Sequence, residues 1–177
     1  VGCCGIDGCV STLVGASLVN PDRLCYVVVG DLTFFYDLNS LGNHHIGTNL
    51  RVMLVNNGRG TEFRLGIHHC NVFGDDADKY MAAAGHFGNK SPLLVKHYAE
   101  DLGFHYLSAT TKEEFMTALS NFTNPQLSDH SMILEVFTDT KDEREALYLM
   151  SHIQSDAKSM VRSKLKDEKK KKKKKKK

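Results

Sequence analysis

Apolar, β-branched runs alternate with stretches of helical spacing along most of the chain, the arrangement that builds a parallel sheet covered by helices. Residues 24–30 (LCYVVVG), 50–56 (LRVMLVN), 104–108 (FHYLS) and 131–137 (SMILEVF) read as buried strands. Between the first two, Phe34, Phe35, Leu38, Leu41 and His45 recur at helical spacing and predict a crossover helix. Pro92 ahead of Leu94, Tyr98 and Leu102 predicts a second helix, with Gly103 suited to its C-terminal cap. Thr110 and Glu113 stand three apart before Phe115, Leu119 and Phe122, so a capping box is expected to open a third helix. Thr140 and Glu143 do the same for a fourth, which carries Ala146, Leu147, Met150 and Ile153 on one face. Residues 5–18 read as a glycine turn running into another helix with no strand before it, as if the chain began inside a longer protein.

Residues 56–91 break this rhythm. Rich in Gly, Asn, His and Asp, they predict a long connection with short helices around residues 76–84, and long connections in compact α/β domains are usually functional. The expected fold is therefore α/β, a Rossmann-like three-layer sandwich with a mainly parallel sheet, truncated at its N-terminus. At 177 residues the chain is the size of one domain, read here as residues 1–165 followed by a disordered lysine-rich tail over 166–177.

Charge changes little in this picture. Nine of the 23 basic residues form the run at 169–177; removing them leaves 14 against 21 acidic residues, a net −7, so the body of the chain has no nucleic-acid or membrane signature. No apolar run reaches the length of a membrane span. The five cysteines show no CxxC spacing, which favours a reducing cytoplasm over a disulfide framework, and the adjacent Cys3 and Cys4 read as small residues of a tight turn rather than a redox switch.

The chemistry concentrates at two strand ends. Gly30-Asp31-Leu32 follows the first predicted strand, and Asn56-Asn57-Gly58 closes the second, with Asn57 26 positions beyond Asp31. Parallel strands joined by a right-handed crossover end on the same edge of the sheet, where open α/β sheets bind ligands. A carboxylate, an amide oxygen and a nearby backbone carbonyl are hard oxygen donors, and magnesium takes one or two such groups together with phosphate oxygens and water. Asp31 also begins a helix, where backbone N–H groups favour anions, and Thr33 can donate to the same phosphate. The competing structural reading makes Asp31 a helix cap and Asn-Asn-Gly an ordinary turn.

This spacing resembles the signature of thiamine-diphosphate enzymes, a glycine-aspartate pair followed by a double asparagine. Gly5-Ile6-Asp7-Gly8 with Ser11-Thr12, and the stretch from Gly30 to Asn39, resemble the 2-succinyl-5-enolpyruvyl-6-hydroxy-3-cyclohexene-1-carboxylate synthase branch of menaquinone biosynthesis. The likeness runs to about Phe63 and more loosely to Phe137, and covers that family's C-terminal, diphosphate-binding domain. It implies the thiamine-diphosphate-binding fold, thiamine diphosphate and Mg2+ as cofactors, and magnesium ligands from Asp31, Asn57 and the Arg59 carbonyl. It also implies cofactor contacts from Gly5, Ile6, Asp7, Gly30, Asp31, Leu32, Thr33, Asn57 and Phe63, with Ile6 wedged between the cofactor's rings and Phe63 beside the thiazolium.

The activity implied is that of a lyase or transferase, a 2-oxo-acid decarboxylase or carboligase acting on a small 2-oxo acid and assembled as a homo-oligomer. No catalytic residue is assigned here, because the family's activating glutamate lies on a pyrimidine-binding domain, in the same or a second chain. Two departures leave the substrate open: Val1 stands where the branch usually has an arginine, and Glu62 where an aliphatic residue usually precedes Phe63. The alternative function is a non-catalytic nucleotide- or phosphate-binding regulatory module. His68-His69-Cys70 reads as loop rather than transition-metal site, His44-His45 as part of the crossover helix, Arg64 as solvated or carboxylate-binding, and residues 85–91 (GHFGNKS) lack phosphate-loop spacing.

Overall fold

The computed structural model describes residues 5–64, 68–81, 91–124, 126 and 129–174. They form four strands, β1 (Cys25–Gly30), β2 (Leu50–Asn56), β3 (His105–Ala109) and β4 (Met132–Phe137), and six α-helices. The helices are α1 (Cys9–Val19), α2 (Asp31–Tyr36), α3 (Ala77–Tyr80), α4 (Leu94–Asp101), α5 (Lys112–Phe122) and α6 (Thr140–Lys174). The strands lie in the order β1-β2-β4-β3 and every pairing is parallel, so each expected strand is found, β2 with the expected limits and the others within one residue.

Alternation of side chains along each strand sorts the core into two layers. On one face Val29, Val52, Leu54 and Ile133 pack with Val10, Leu13 and Val14 of α1, Phe34 of α2 and Val95 and Ala99 of α4. On the other face Met53, Leu107, Met132, Leu134 and Val136 meet Phe115, Ala118, Leu119 and Phe122 of α5. Helices on both faces of an all-parallel sheet make this the α/β sandwich expected.

Two local expectations need correction. The crossover between β1 and β2 is not one helix: α2 ends at Tyr36 and a 3₁₀ turn, Leu38–Gly42, follows. The break falls at Asp37 (φ −122°, ψ 16°), whose carboxylate is drawn away to accept the Ser11 N–H of α1 at 2.6 Å. Glycine and asparagine then end the 3₁₀ turn at Gly42-Asn43, so His44 and His45 lie beyond it, not on a helix, with their rings 3.8 Å apart. The capping box of α5 is also shifted by one residue, to Thr111 and Glu114, because Thr110 spends both its N–H and its hydroxyl on the Glu114 carboxylate. Those hydrogen bonds, from Thr110 first and Thr111 after it, hold the exposed Glu114 carboxyl below its ordinary value.

Gly103 (φ 81°), expected at the C-terminal end of α4, and Gly8 (φ 93°), in the glycine turn ahead of α1, both occupy the left-handed region that glycine tolerates. Gly8 has no side chain to cap α1, so Asp37, 26 residues beyond Ser11, acts in its place. Asp37→Ala is expected to lower the unfolding free energy by about 1 kcal/mol, as loss of a helix N-cap does. A urea midpoint unchanged from wild type would show that water serves Ser11 equally well.

The chain divides into two compact units, Val1–Asp139 and Thr140–Lys177. The first holds the sheet and every candidate site residue. The second is α6, whose helical assignment extends to Lys174 through the segment expected to be a tail, and whose Leu147, Met150 and Ile153 are exposed. Among the described residues no helix is long and apolar enough to cross a membrane.

Candidate functional site

Parallel pairing aligns Gly30 with Val55 and Asn56 with Phe137, so the loops leaving β1, β2 and β4 emerge side by side at one edge of the sheet. Asp31, the first residue beyond β1, is 2% exposed. Its Oδ2 accepts the N–H of Gly58 at 2.5 Å and its Oδ1 the N–H of Leu32 at 2.8 Å. The carboxylate is thereby fastened to the residue that follows Asn57, which is the neighbourhood expected from the spacing.

Asn57 organises what comes next. Its Oδ1 accepts the Arg59 N–H at 3.0 Å and its Nδ2 donates to Thr61 Oγ1 at 2.8 Å. Gly58 between them takes φ 79°, a left-handed conformation that glycine adopts freely and β-branched or bulky residues only with strain. Thr61 opens the 3₁₀ turn Thr61–Arg64 that carries Phe63, half-buried and edge-on to His68 with ring centroids 5.1 Å apart. The three groups expected to meet a metal, Asp31, Asn57 and the peptide of Arg59, thus belong to one hydrogen-bonded turn. An ionised carboxylate offers about four lone-pair directions and an amide oxygen two, so accepting backbone N–H groups is compatible with ligating a cation.

The remaining predicted residues are distributed around this turn. Gly30 ends β1, while Leu32 and Thr33 lie in the first turn of α2, half-buried. Gly5, Ile6 and Asp7 precede α1; Ile6 is 39% exposed, an apolar side chain presented to solvent. Asp37 ties the start of α1 to the far end of α2, about 9 Å of helix from Asp31. Because α2 has only six residues, its dipole is a smaller attraction for an anion than the crossover helix expected from the sequence.

Among the described residues no group of three or more His, Cys, Asp or Glu side chains is placed to hold a metal ion. His68 accepts the Cys70 N–H through Nδ1. Cys9, Cys25 and Cys70 are half-buried free thiols. Cys3, Cys4, residues 85–90 and the side chain of Arg64 lie outside the described residues.

One part of the site was not anticipated. Glu135, in the apolar run of β4, is 1% exposed, and its carboxylate accepts Asn56 Nδ2 through Oε1 and the Tyr106 hydroxyl through Oε2, both at 2.6 Å. A lone acid inside SMILEVF was the available signal. Burial raises the Glu135 carboxyl above its ordinary value; the bonds from Tyr106 and Asn56 pull the other way, and the charge of Asp31 adds to the rise. Tyr106 is likewise pushed up, by burial first and then by its bond to Glu135. Asn56 Oδ1 is buried and has no hydrogen-bond partner among the described residues, an arrangement that costs about 1–3 kcal/mol when nothing supplies a donor or a cation.

A raised carboxyl has a stability consequence. The folded chain binds the Glu135 proton more tightly than the unfolded chain, so this contribution is complete below the unfolded value of about 4 and is lost as pH rises through the raised folded value. Glu135→Gln is expected to remove that loss, so the urea midpoint of the variant should gain on wild type as pH increases from 4 to 7. A difference between the two proteins that stays constant over this range would contradict it.

No family model matches the chain. Over 144 residues it is 36% identical to the 2-succinyl-5-enolpyruvyl-6-hydroxy-3-cyclohexene-1-carboxylate synthase of Bacteroides fragilis strain ATCC 25285, an overlap of 81% of this chain and 24% of that protein. The protein of the same name from Phocaeicola vulgatus is 34% identical over 146 residues, covering 81% and 24%. That from Desulfotalea psychrophila is 48% identical over 140 residues, covering 78% and 24%. The chain therefore spans about a quarter of the length of the curated relatives it matches.

Proposed function

We propose, from the chain's membership of the thiamine-diphosphate-dependent enzymes on the 2-succinyl-5-enolpyruvyl-6-hydroxy-3-cyclohexene-1-carboxylate synthase branch, that it forms the diphosphate-and-magnesium half of a thiamine-diphosphate site. The whole enzyme would be a lyase or transferase that decarboxylates or ligates a small 2-oxo acid. The observation that carries this reading is the hydrogen bond that the Gly58 N–H donates to the buried Asp31 carboxylate, which joins the β1 tip to the turn of Asn57.

The donor set fits the ion. Carboxylate, amide oxygen and peptide carbonyl are all hard oxygen groups, and the buried Asn56 Oδ1 marks the same edge as rich in acceptors. Asp31, Asn57 and the Arg59 carbonyl would hold Mg2+. Thr33 and the backbone of Gly30 and Leu32 would receive the diphosphate, while Gly5, Ile6 and Asp7 would face the ring system and Phe63 would border the thiazolium. When bound, the cofactor supplies carbanion chemistry at a 2-oxo-acid carbonyl, and the protein supplies position and electrostatics. The residues of this chain contribute binding and orientation, and the activating acid belongs to a pyrimidine-binding domain in the same or a neighbouring chain.

Calorimetric titration tests the reading. Thiamine diphosphate should bind only with Mg2+ present, and nucleoside diphosphates should bind far more weakly. Equal binding of simple nucleotides would instead support a phosphate-binding regulatory module.

A further inference from the structure

Glu135 stands one layer beneath the strand tips. Its neighbours in register are Leu54 on β2 and Ser108 on β3, both apolar or small, so nothing in the packing calls for an acid at this position. A carboxylate this deeply buried is disfavoured unless hydrogen-bonded and balanced by positive charge. The hydrogen bonds are present, from Asn56 and Tyr106, but among the described residues the groups that set its ionisation include no cationic side chain and do include the negative charge of Asp31. The charge of the buried Asp31 therefore reaches the buried Glu135 carboxyl, with the Asn56-Asn57-Gly58 turn bonded to both acids.

Asn56 connects them. Its Nδ2 is committed to Glu135, which obliges Oδ1 to face away from that carboxylate, and its backbone carbonyl accepts the Thr138 N–H at 3.1 Å. The amide oxygen is then a buried acceptor with no donor among the described residues, 6% of its residue being exposed. Carboxylate, carboxylate and orphaned amide oxygen together make a negative environment that a divalent cation at the tip would balance.

We propose that Glu135 is a positioning residue for the divalent-cation site: braced by Tyr106, it fixes the Asn56 carboxamide and hence the turn that presents Asn57, and places a second buried negative charge beneath the ion. This rests on the cation-site reading above. Groups that orient metal ligands from one layer behind typically change metal affinity about 10–100-fold when replaced.

The test measures Mn2+ binding to the full chain by electron paramagnetic resonance in the presence of thiamine diphosphate, together with the metal-free thermal midpoint. Glu135→Gln, which can still accept from Asn56, is expected to bind Mn2+ at least about tenfold more weakly than wild type while its metal-free midpoint at pH 7 is no lower. Tyr106→Phe, which leaves the charge but loosens it, should lose affinity to a smaller degree, and it decides the matter if the glutamine variant does not fold. Unchanged affinity in the folded variants, or a loss matched by a fall in the metal-free midpoint, overturns the positioning role alone. Failure of wild-type protein to bind Mn2+ with thiamine diphosphate overturns the site reading and this role with it.

Discussion

Asp31→Ala is expected to abolish magnesium-dependent binding of thiamine diphosphate, lowering the apparent affinity at least ~100-fold, or about 2.7 kcal/mol. Asp31 supplies the one formal negative charge in the proposed ligand set; Asn57 and the Arg59 carbonyl are neutral dipoles. The same substitution also strips the Gly58 N–H of its acceptor, and a buried donor without a partner costs about 1–3 kcal/mol. Two effects would therefore be mixed in the alanine variant, and Asp31→Asn separates them. Its one side-chain oxygen can still accept from Gly58, so the turn should be kept while the charge is gone and only the Leu32 N–H loses its acceptor. Calorimetry is expected to find both variants without detectable cofactor binding, with the alanine variant the more destabilised of the two. An asparagine variant that binds the magnesium-cofactor pair like wild type would show that Asp31 only caps and clamps.

That clamp explains why spacing was informative. Strand identity was legible because LRVMLVN and SMILEVF are short, apolar and β-branched, and parallel pairing then forces Gly30, Asn56 and Phe137 to one edge whatever the loops do. Asp31 and the Asn57 turn follow as a consequence of topology. What was not legible depended on tertiary competition. The helical spacing of Phe34, Phe35, Leu38 and Leu41 is genuine, and Phe34 and Leu41 are buried, yet Asp37 leaves the helix to cap α1 and the segment breaks there. Such a bond between residues 26 apart has no local signature. The one-residue shift of the α5 cap has a similar origin, since Thr110 and Thr111 are chemically equivalent candidates and only the reach of Glu114 chooses between them. Glu135 escaped notice because a lone acid in an apolar strand looks like an outward-facing position. Its partners Asn56 and Tyr106 come from different strands and become neighbours only through the β2-β4-β3 order.

The same geometry bears on catalysis. The isolated chain, saturated with thiamine diphosphate and Mg2+, is expected to release carbon dioxide from a 2-oxo acid no faster than the cofactor in solution. Turnover should rise at least ~100-fold when a pyrimidine-binding portion of a related synthase is added, the lower bound of what a positioned acid-base group contributes. The two buried acids at the site have other commitments: Asp31 is bonded to the Gly58 turn, and Glu135 is buried between Asn56 and Tyr106. Glu62 is exposed on the turn that carries Phe63, so it is the acid to test in their place. The measurement therefore includes Glu62→Gln. Turnover by the pure chain that disappears in this variant would put the activating acid in this half of the site, and turnover by the chain that persists in it would remove the need for a partner domain. Turnover that appears only on mixing, and is insensitive to Glu62→Gln, is the expected outcome. It would assign this chain the binding of the diphosphate end and its partner the activation of the ring.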